Sequence, residues 1–304
     1  MRSYMPEGGI INNDENLGYI SSISGLYEAK SRGIILEARA ESCSSAHDLA
    51  LNLPACRAVI PREECALGIA EGRTKDIAII SRVGKPVAFT VKEITEEDGE
   101  TTAILSRTEA QNLCLENYLL KLEYGSVIDA AVTHIEQFGC FVDIGCGISS
   151  MIPIDAISVS RIGHPSDRFA VGDRIKAVLK GWDGEKFYLS HKELLGTWEE
   201  NARKFCAGET VKGTVRSIEP YGIFIELAPN LAGLAEPRAD VYAGQTASVY
   251  IKSINPEKMK IKLIIVDAYD GEPEQGCEYF ITGGVIKRWR YSPAACEKVI
   301  ESVF

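Results

Sequence analysis

No run of about 18 consecutive apolar residues occurs in this chain, so no helix is expected to span a bilayer. Met1–Gly9 is polar and lacks the apolar segment of a secretory leader, which makes a cytoplasmic location the expectation. None of the nine cysteines, at 43, 56, 65, 114, 140, 146, 206, 277 and 296, has a neighbour at the two-to-four-residue spacing of a zinc site. Their odd number and the absence of a leader point to reduced, mostly buried thiols and to no metal. Only four histidines are present, far apart in sequence. With no carboxylates at metal spacing and no nucleophile-and-base pair, the pattern argues against an enzyme, RNA-cleaving activity included, and implies no cofactor.

Positive charge is also short. Lys and Arg number 33 against 43 acidic residues, a net charge of −10, which argues against coating duplex DNA by bulk charge. The deficit is uneven. Residues 1–124 carry 13 basic and 19 acidic side chains, whereas residues 125–205 carry 9 and 11, and residues 206–270 carry 7 and 8. The two later blocks are close enough to balance to hold a local basic groove.

What is present is a repeated phrase. Glu136-Gln-Phe138-Gly139-Cys140-Phe141-Val-Asp-Ile144-Gly returns as Pro220-Tyr221-Gly222-Ile223-Phe224-Ile-Glu-Leu227, with the spacing aromatic, glycine, any residue, aromatic. In a regular strand, positions i and i+3 face opposite ways. A bulge at Gly139 is expected to bring both rings to one face, as a platform on which bases stack.

Around this phrase the chain reads as internal repeats of short strands. A polar N-terminal extension, 1–32, holds one expected helix capped by Asp14, with Leu17, Ile20, Ile23 and Tyr27 on its apolar face. Residues 33–122, 123–206 and 207–270 each carry about five strands, with matching glycine turns at Gly84, Gly172 and Gly244. Ser106 with Glu109 and Ser190 with Glu193 predict capping boxes, the second opening a linker helix over 191–205. Residues 271–304 form a tail. In it Tyr279–Thr282 and Val285–Trp289 are expected to pair as a hairpin, and Ser292-Pro293 to start a helix with Cys296, Val299, Ile300 and Val303 on its apolar face. Lys287-Arg288-Trp289-Arg290-Tyr291 either extends an RNA surface or packs the tail through Trp289. The fold class is mainly β: three tandem five-stranded OB-fold barrels joined by short helices, with a small C-terminal α/β tail. A sandwich competes, but it usually needs more strands per unit.

The second and third repeats resemble the RNA-binding repeat first named from ribosomal protein S-one, itself an OB barrel. The likeness is carried in the second repeat by Phe138-Gly139-Cys140-Phe141, Val171-Gly172-Asp173, Asp183 and Leu189-Ser190, with Lys186 at the family's arginine position. Arg161-Ile162-Gly163-His164-Pro165-Ser166-Asp167 resembles a stretch found in repeats of the ribosomal protein itself and is the most specific signal. The sequence departs from the family at Pro153 and Glu236, which stand at its histidine, at Ser150, and at Asn255 and Lys260. The first repeat lacks the aromatic-glycine phrase, with Ala46-His47-Asp48-Leu49-Ala50 in that region.

The resemblance implies that RNA crosses one face of each barrel. Phe138 and Phe141 would stack bases, Lys176, Lys180 and Lys186 would meet phosphates, and Asp183 would orient Lys186 or accept from a base edge. Arg161, His164 and Arg168 would stand in the loop above. In the third repeat Tyr221 and Phe224 would stack, with Lys252, Lys260 and Lys262 behind them. The expected function is non-enzymatic binding of single-stranded mRNA in translation, with the small ribosomal subunit as a partner through residues 1–124. An RNA-decay accessory, or an adaptor binding proteins through the same barrels, is the competing reading.

Overall fold

The computed structural model describes residues 4–271 and 277–304. Residues 1–3 of the N-terminal extension and 272–276 of the tail lie outside the described residues. The chain divides into two compact units, Met1–Leu122 with Asp129–Ala131 and Asp143–Ser149, and the remainder.

In the first unit the extension forms two helices rather than one. α1 (Asp14–Ile20) is capped by Asn13, whose side chain accepts from Glu15 N, and α2 (Ile23–Arg32) by Ser22, whose hydroxyl accepts from Gly25 N. Ser21 and Ser22 break the expected continuous face, because a serine at an N-cap satisfies orphan N–H groups better than it continues a helix. Ile20 and Leu26 are buried, while Leu17 and Tyr27 are exposed. Beyond them β1 (Leu36–Cys43), β2 (Leu49–Asn52), β3 (Arg57–Ile60), β4 (Pro86–Glu97) and β5 (Glu100–Ser106) close in the order β1-β2-β3-β5-β4. Only the β3–β5 pair is parallel. Inward residues Leu49, Ile60, Phe89 and Leu105 fill the barrel. The short helix α3 (Ile77–Ile80) lies in the β3–β4 connection, and α4 (Arg107–Asn117) follows β5.

The Ser106 hydroxyl caps α4 by accepting from Glu109 N at 2.9 Å. Glu109 does not complete the box, since its carboxylate accepts from Thr90 Oγ1 at 2.7 Å. The polar lead is anchored by Glu7, a buried carboxylate that accepts from Arg107 Nε and Nη2 at 2.6 and 3.1 Å and from Ala88 N at 3.1 Å. Burial opposes its charge, but Arg107 and Arg82 overcome that cost and hold its pKa below the ordinary carboxylate range.

Strands β6 (Val127–Glu136), β7 (Gly139–Asp143), β8 (Ser149–Pro153), β9 (Arg174–Trp182) and β10 (Phe187–Ser190) close in the order β10-β8-β7-β6-β9, with the one-turn helix α5 (Ile154–Ile157) after β8. Strands β11 (Thr210–Glu219), β12 (Gly222–Ala228), β13 (Leu231–Ala235), β14 (Thr246–Asn255) and β15 (Lys260–Tyr269) close as β11-β12-β13-β15-β14. This is the strand order of the first barrel. Strand β13 follows the Pro229-Asn230 turn and occupies the place of the family's short strand, just before Glu236.

The linker 191–205 is not one helix. A 3-10 turn, Lys192–Leu195, ends at Gly196, and α6 (Trp198–Ala202) starts afresh. Gly196 has φ +79°, and an added Cβ there would lie 2.6 Å from the Phe280 ring, so the break belongs to a glycine. The capping box sits seven residues later than expected. Thr197 Oγ1 accepts from Glu200 N at 3.2 Å, and Glu200 Oε2 accepts from Thr197 N at 2.7 Å. Ser190 instead donates to Ala156 O.

The expected tail hairpin and helix are absent as well. Val285 bridges to Ser126, and Val127 N donates to Gly284 O, so this segment joins the start of β6. Strand β16 (Arg288–Arg290) pairs antiparallel with β17 (Glu301–Val303). Ser292 does not cap a helix, because its hydroxyl accepts from Ile300 N at 2.8 Å and closes a loop between the two strands. Trp289 is buried with the core of the third barrel. Two of the tail's cations are paired nearby: Lys287 with Glu123 and Arg288 with Glu301. No helix among the described residues is long and apolar enough to cross a membrane.

Candidate nucleic-acid interface

Both ring pairs are brought together, though by a different device from the bulge expected at Gly139. Phe138 stands in the turn between β6 and β7, outside the strand alternation, and is 56% exposed. Phe141, half-buried on β7, lies 6.2 Å from it by ring centroids at 87°. Tyr221, 67% exposed in the β11–β12 turn, and half-buried Phe224 repeat this at 6.1 Å and 88°. An edge-to-face pair of this kind is a favoured aromatic geometry. Phe138 and Tyr221 are the exposed members of the two pairs.

The glycine is needed for close approach. A Cβ at Gly139 would sit 2.5 Å from Ile152 O, and one at Gly222 would sit 2.6 Å from Ala235 O. In the third barrel the bulge lies on the partner strand. There Val215 pairs with Ile225 and Ser217 with Phe224, leaving Arg216 as the extra residue.

The cations line up across the strands. Phe224 pairs with Leu234, Leu234 with Lys262, and Lys262 with Ser253, so Lys262 shares the outer face of Phe224. Lys252 is the extra residue of a bulge between Ile251 and Ser253, and Lys180 occupies the matching bulge between Leu179 and Gly181. Lys180, Lys186, Lys252, Lys260 and Lys262 are all exposed, as is Arg161. Lys176 is half-buried, and its backbone N–H donates to the Tyr279 hydroxyl at 3.2 Å.

Three expected contacts have other work. Arg168 does not face an RNA path. Its side chain is 4% exposed, its Nη2 donates to Glu226 Oε2 at 2.6 Å and to Pro229 O at 3.2 Å, and Arg216 grips the same carboxylate at 3.0 Å. A buried guanidinium must be paired, and the carboxylate two residues past Phe224 supplies the partner. His164 caps the 3-10 turn Pro165–Asp167: Nδ1 accepts from Ser166 N at 3.2 Å, and Asp167 Oδ2 accepts from His164 N at 3.1 Å.

Asp183 is engaged by its own turn and by Tyr188, not by the Lys186 ammonium. Oδ1 accepts from Glu185 N and Lys186 N at 2.9 and 2.7 Å, and Oδ2 accepts from the Tyr188 hydroxyl at 2.6 Å. The Tyr188 bond, then the two turn N–H groups, hold its pKa down at about 2.

Two rings were missed by sequence reading. Tyr188, half-exposed on β10 and held by Asp183, pairs across to Met151. His134 on β6 lies 6.1 Å from Phe141 at 31°. The alternation of Phe187, Tyr188 and Leu189, with the outer two buried, was the available signal for Tyr188. Nothing in the sequence marked His134. Among the described residues no three His, Cys, Asp or Glu side chains are grouped to hold a metal ion.

Residues 121–192 match the family described as the S1 RNA binding domain. The small ribosomal subunit protein bS1 of Leuconostoc lactis is 30% identical over 190 residues, covering 57% of this chain and 44% of that protein. The bS1 homolog of Bacillus subtilis (strain 168) is 31% identical over 198 residues, covering 59% and 51%. The chain thus spans about half the length of the curated relatives it matches. Among solved structures, a multidomain protein with nucleic acid binding domains from Streptococcus pneumoniae TIGR4 aligns over 77% of this chain and 73% of its own, at 14% identity and a TM-score of 0.25.

Proposed function

We propose that this chain, whose residues 121–192 match the S1 RNA binding domain, binds single-stranded RNA through tandem OB-type barrels and acts in translation as a bS1-like protein. The observation that carries this reading is the repetition of one exposed geometry. An edge-to-face ring pair at 6.2 and 6.1 Å stands at the same turn of two barrels, with exposed lysines at matching positions beside each. Stacking tolerates every base, and the lysines meet phosphates, so the favoured ligand is an unpaired strand and the role is binding without catalysis.

The proposed domains are barrels at 33–122, 123–206 and 207–270, the last two forming one bivalent binder through effective concentration. The first barrel has no ring pair: His47, at φ +68°, lies between β1 and β2 where the others carry the aromatic. Residues 1–124, also the most acidic block, are assigned to docking on the small ribosomal subunit, in the cytoplasm.

Fluorescence anisotropy with single-stranded and duplex RNA tests the reading. Phe138→Ala/Phe141→Ala and Tyr221→Ala/Phe224→Ala should each weaken single-strand binding at least about tenfold, given roughly 1–3 kcal/mol per stacked base. An equal loss on duplex RNA would count against the platforms.

A further inference from the structure

A cavity of about 460 Å³ opens between the second barrel's loop and the third barrel, beside the Tyr221–Phe224 pair. Its floor is a row read directly from strand register. Tyr269 pairs with Thr246, Thr246 with Thr214, and Thr214 with Glu226. Phe224 and Glu226 are two residues apart on β12 and share its outer face, so the cavity begins roughly 7 Å along the strand from the ring pair.

The wall comes from the end of the Arg161–Asp167 stretch and the residues that follow it, Ser166–Ala170 with Asp173, which the ring platforms leave unused. Asp167 and Arg168 tie this loop to the third barrel through Arg216 and Glu226, with Asp167 Oδ1 3.4 Å from Arg216 Nη1. Arg168 Nε is buried there without a hydrogen-bond partner.

The chemistry of the lining is that of a nucleotide site. The size falls within the range of small-ligand pockets. Lys212 is exposed on the same outer face as Thr214 and suits a phosphate. The Tyr269 ring offers a stacking surface. Asp173 turns Oδ2 to Ala170 N at 2.7 Å, leaving Oδ1 as an acceptor. An acceptor edge matches the exocyclic amino group of cytosine, which uracil replaces with a carbonyl.

We propose that this cavity is a one-nucleotide subsite joining the two barrels, which takes the nucleotide next to the one on Tyr221–Phe224 and prefers a base with an exocyclic amino group. The proposal rests on the RNA-binding reading and adds to it a base preference that stacking alone lacks.

Labelled oligo(C) and oligo(U) of about 12 nucleotides, within the footprint of one or two barrels, separate the two ideas. The full chain should bind oligo(C) about five- to tenfold more tightly than oligo(U). Thr246→Trp, which fills the cavity, should bring oligo(C) down to the oligo(U) level. Lys212→Ala, on an exposed strand position, should weaken both and reduce the salt slope by about 0.7. Equal binding of the two oligomers by the unaltered chain overturns the subsite, as does a preference that survives Thr246→Trp in a protein with an unchanged melting temperature. In either case loss of binding on Tyr221→Ala/Phe224→Ala still leaves the platforms standing. Failure of the unaltered chain to bind either oligomer removes both.

Discussion

At the residue scale, function and stability divide the charged and polar groups in a way their sequence positions do not show. Arg168 belongs to stability. Replacing it with methionine should cost about 3 kcal/mol in urea unfolding, because Glu226 loses one of two partners in a buried site. The salt slope of RNA binding should stay the same, whereas a phosphate contact would lower it by about 0.7.

His191 is a second buried group of this kind. Its Nδ1–H donates to Ile157 O at 2.8 Å, and Nε2 accepts from the Tyr279 hydroxyl at 3.1 Å, locking the tail to the second barrel. Burial, with a smaller push from Arg168, lowers its pKa to about 4 against the pull of the Ile157 bond. The unfolded chain therefore takes up this proton first as pH falls. The stability is present above the ordinary value near 6.5 and is lost between there and pH 4, by roughly 3 kcal/mol. His191→Asn should flatten that part of the stability–pH curve, measured by chemical denaturation across the window. Tyr188→Phe should let the Asp183 pKa rise from about 2 toward the usual carboxylate value, read by NMR titration, since its largest support is the Tyr188 hydroxyl.

At the scale of elements, two glycines make the platforms possible by letting a strand approach its neighbour's carbonyl. Gly139→Ala or Gly222→Ala places a methyl 2.5–2.6 Å from Ile152 O or Ala235 O. Each should destabilise by about 1–3 kcal/mol and weaken RNA binding through displaced rings, both measurable on the same purified variant. The repeated aromatic-glycine phrase was legible because it is local, and so was the strand rhythm around it. The linker was not legible because equivalent capping signals stand at Ser190 and Thr197, and the choice falls to Phe280, distant in sequence, which occupies the space beside Gly196. The tail was misread for a related reason. Its Ser-Pro start is a helix signal only if no strand pairing intervenes, and the pairing of β16 with β17 does.

For the whole molecule, net charge is a poor guide to RNA binding and its distribution a better one. The chain is at −10 overall. Five lysines nevertheless stand exposed on or beside the strands flanking the ring pairs. If each meets one phosphate, log K against log salt should have a slope of about −3.5, from roughly 0.7 per phosphate on a single strand. A slope near zero would mean that stacking acts alone.

The amino-acid sequence by itself determined most of the barrel strands, the alternation within them, and where two aromatic rings flank a glycine. These follow from interactions within a few residues along the chain. Tertiary structure alone decided which charges are free. A guanidinium or carboxylate becomes a ligand contact or a structural tie according to what lies opposite it, and for Arg168, Glu226 and Asp167 that partner comes from another barrel. The cavity beside Phe224 has the same origin, since about a third of its lining arrives from a loop of the second barrel, distant in sequence.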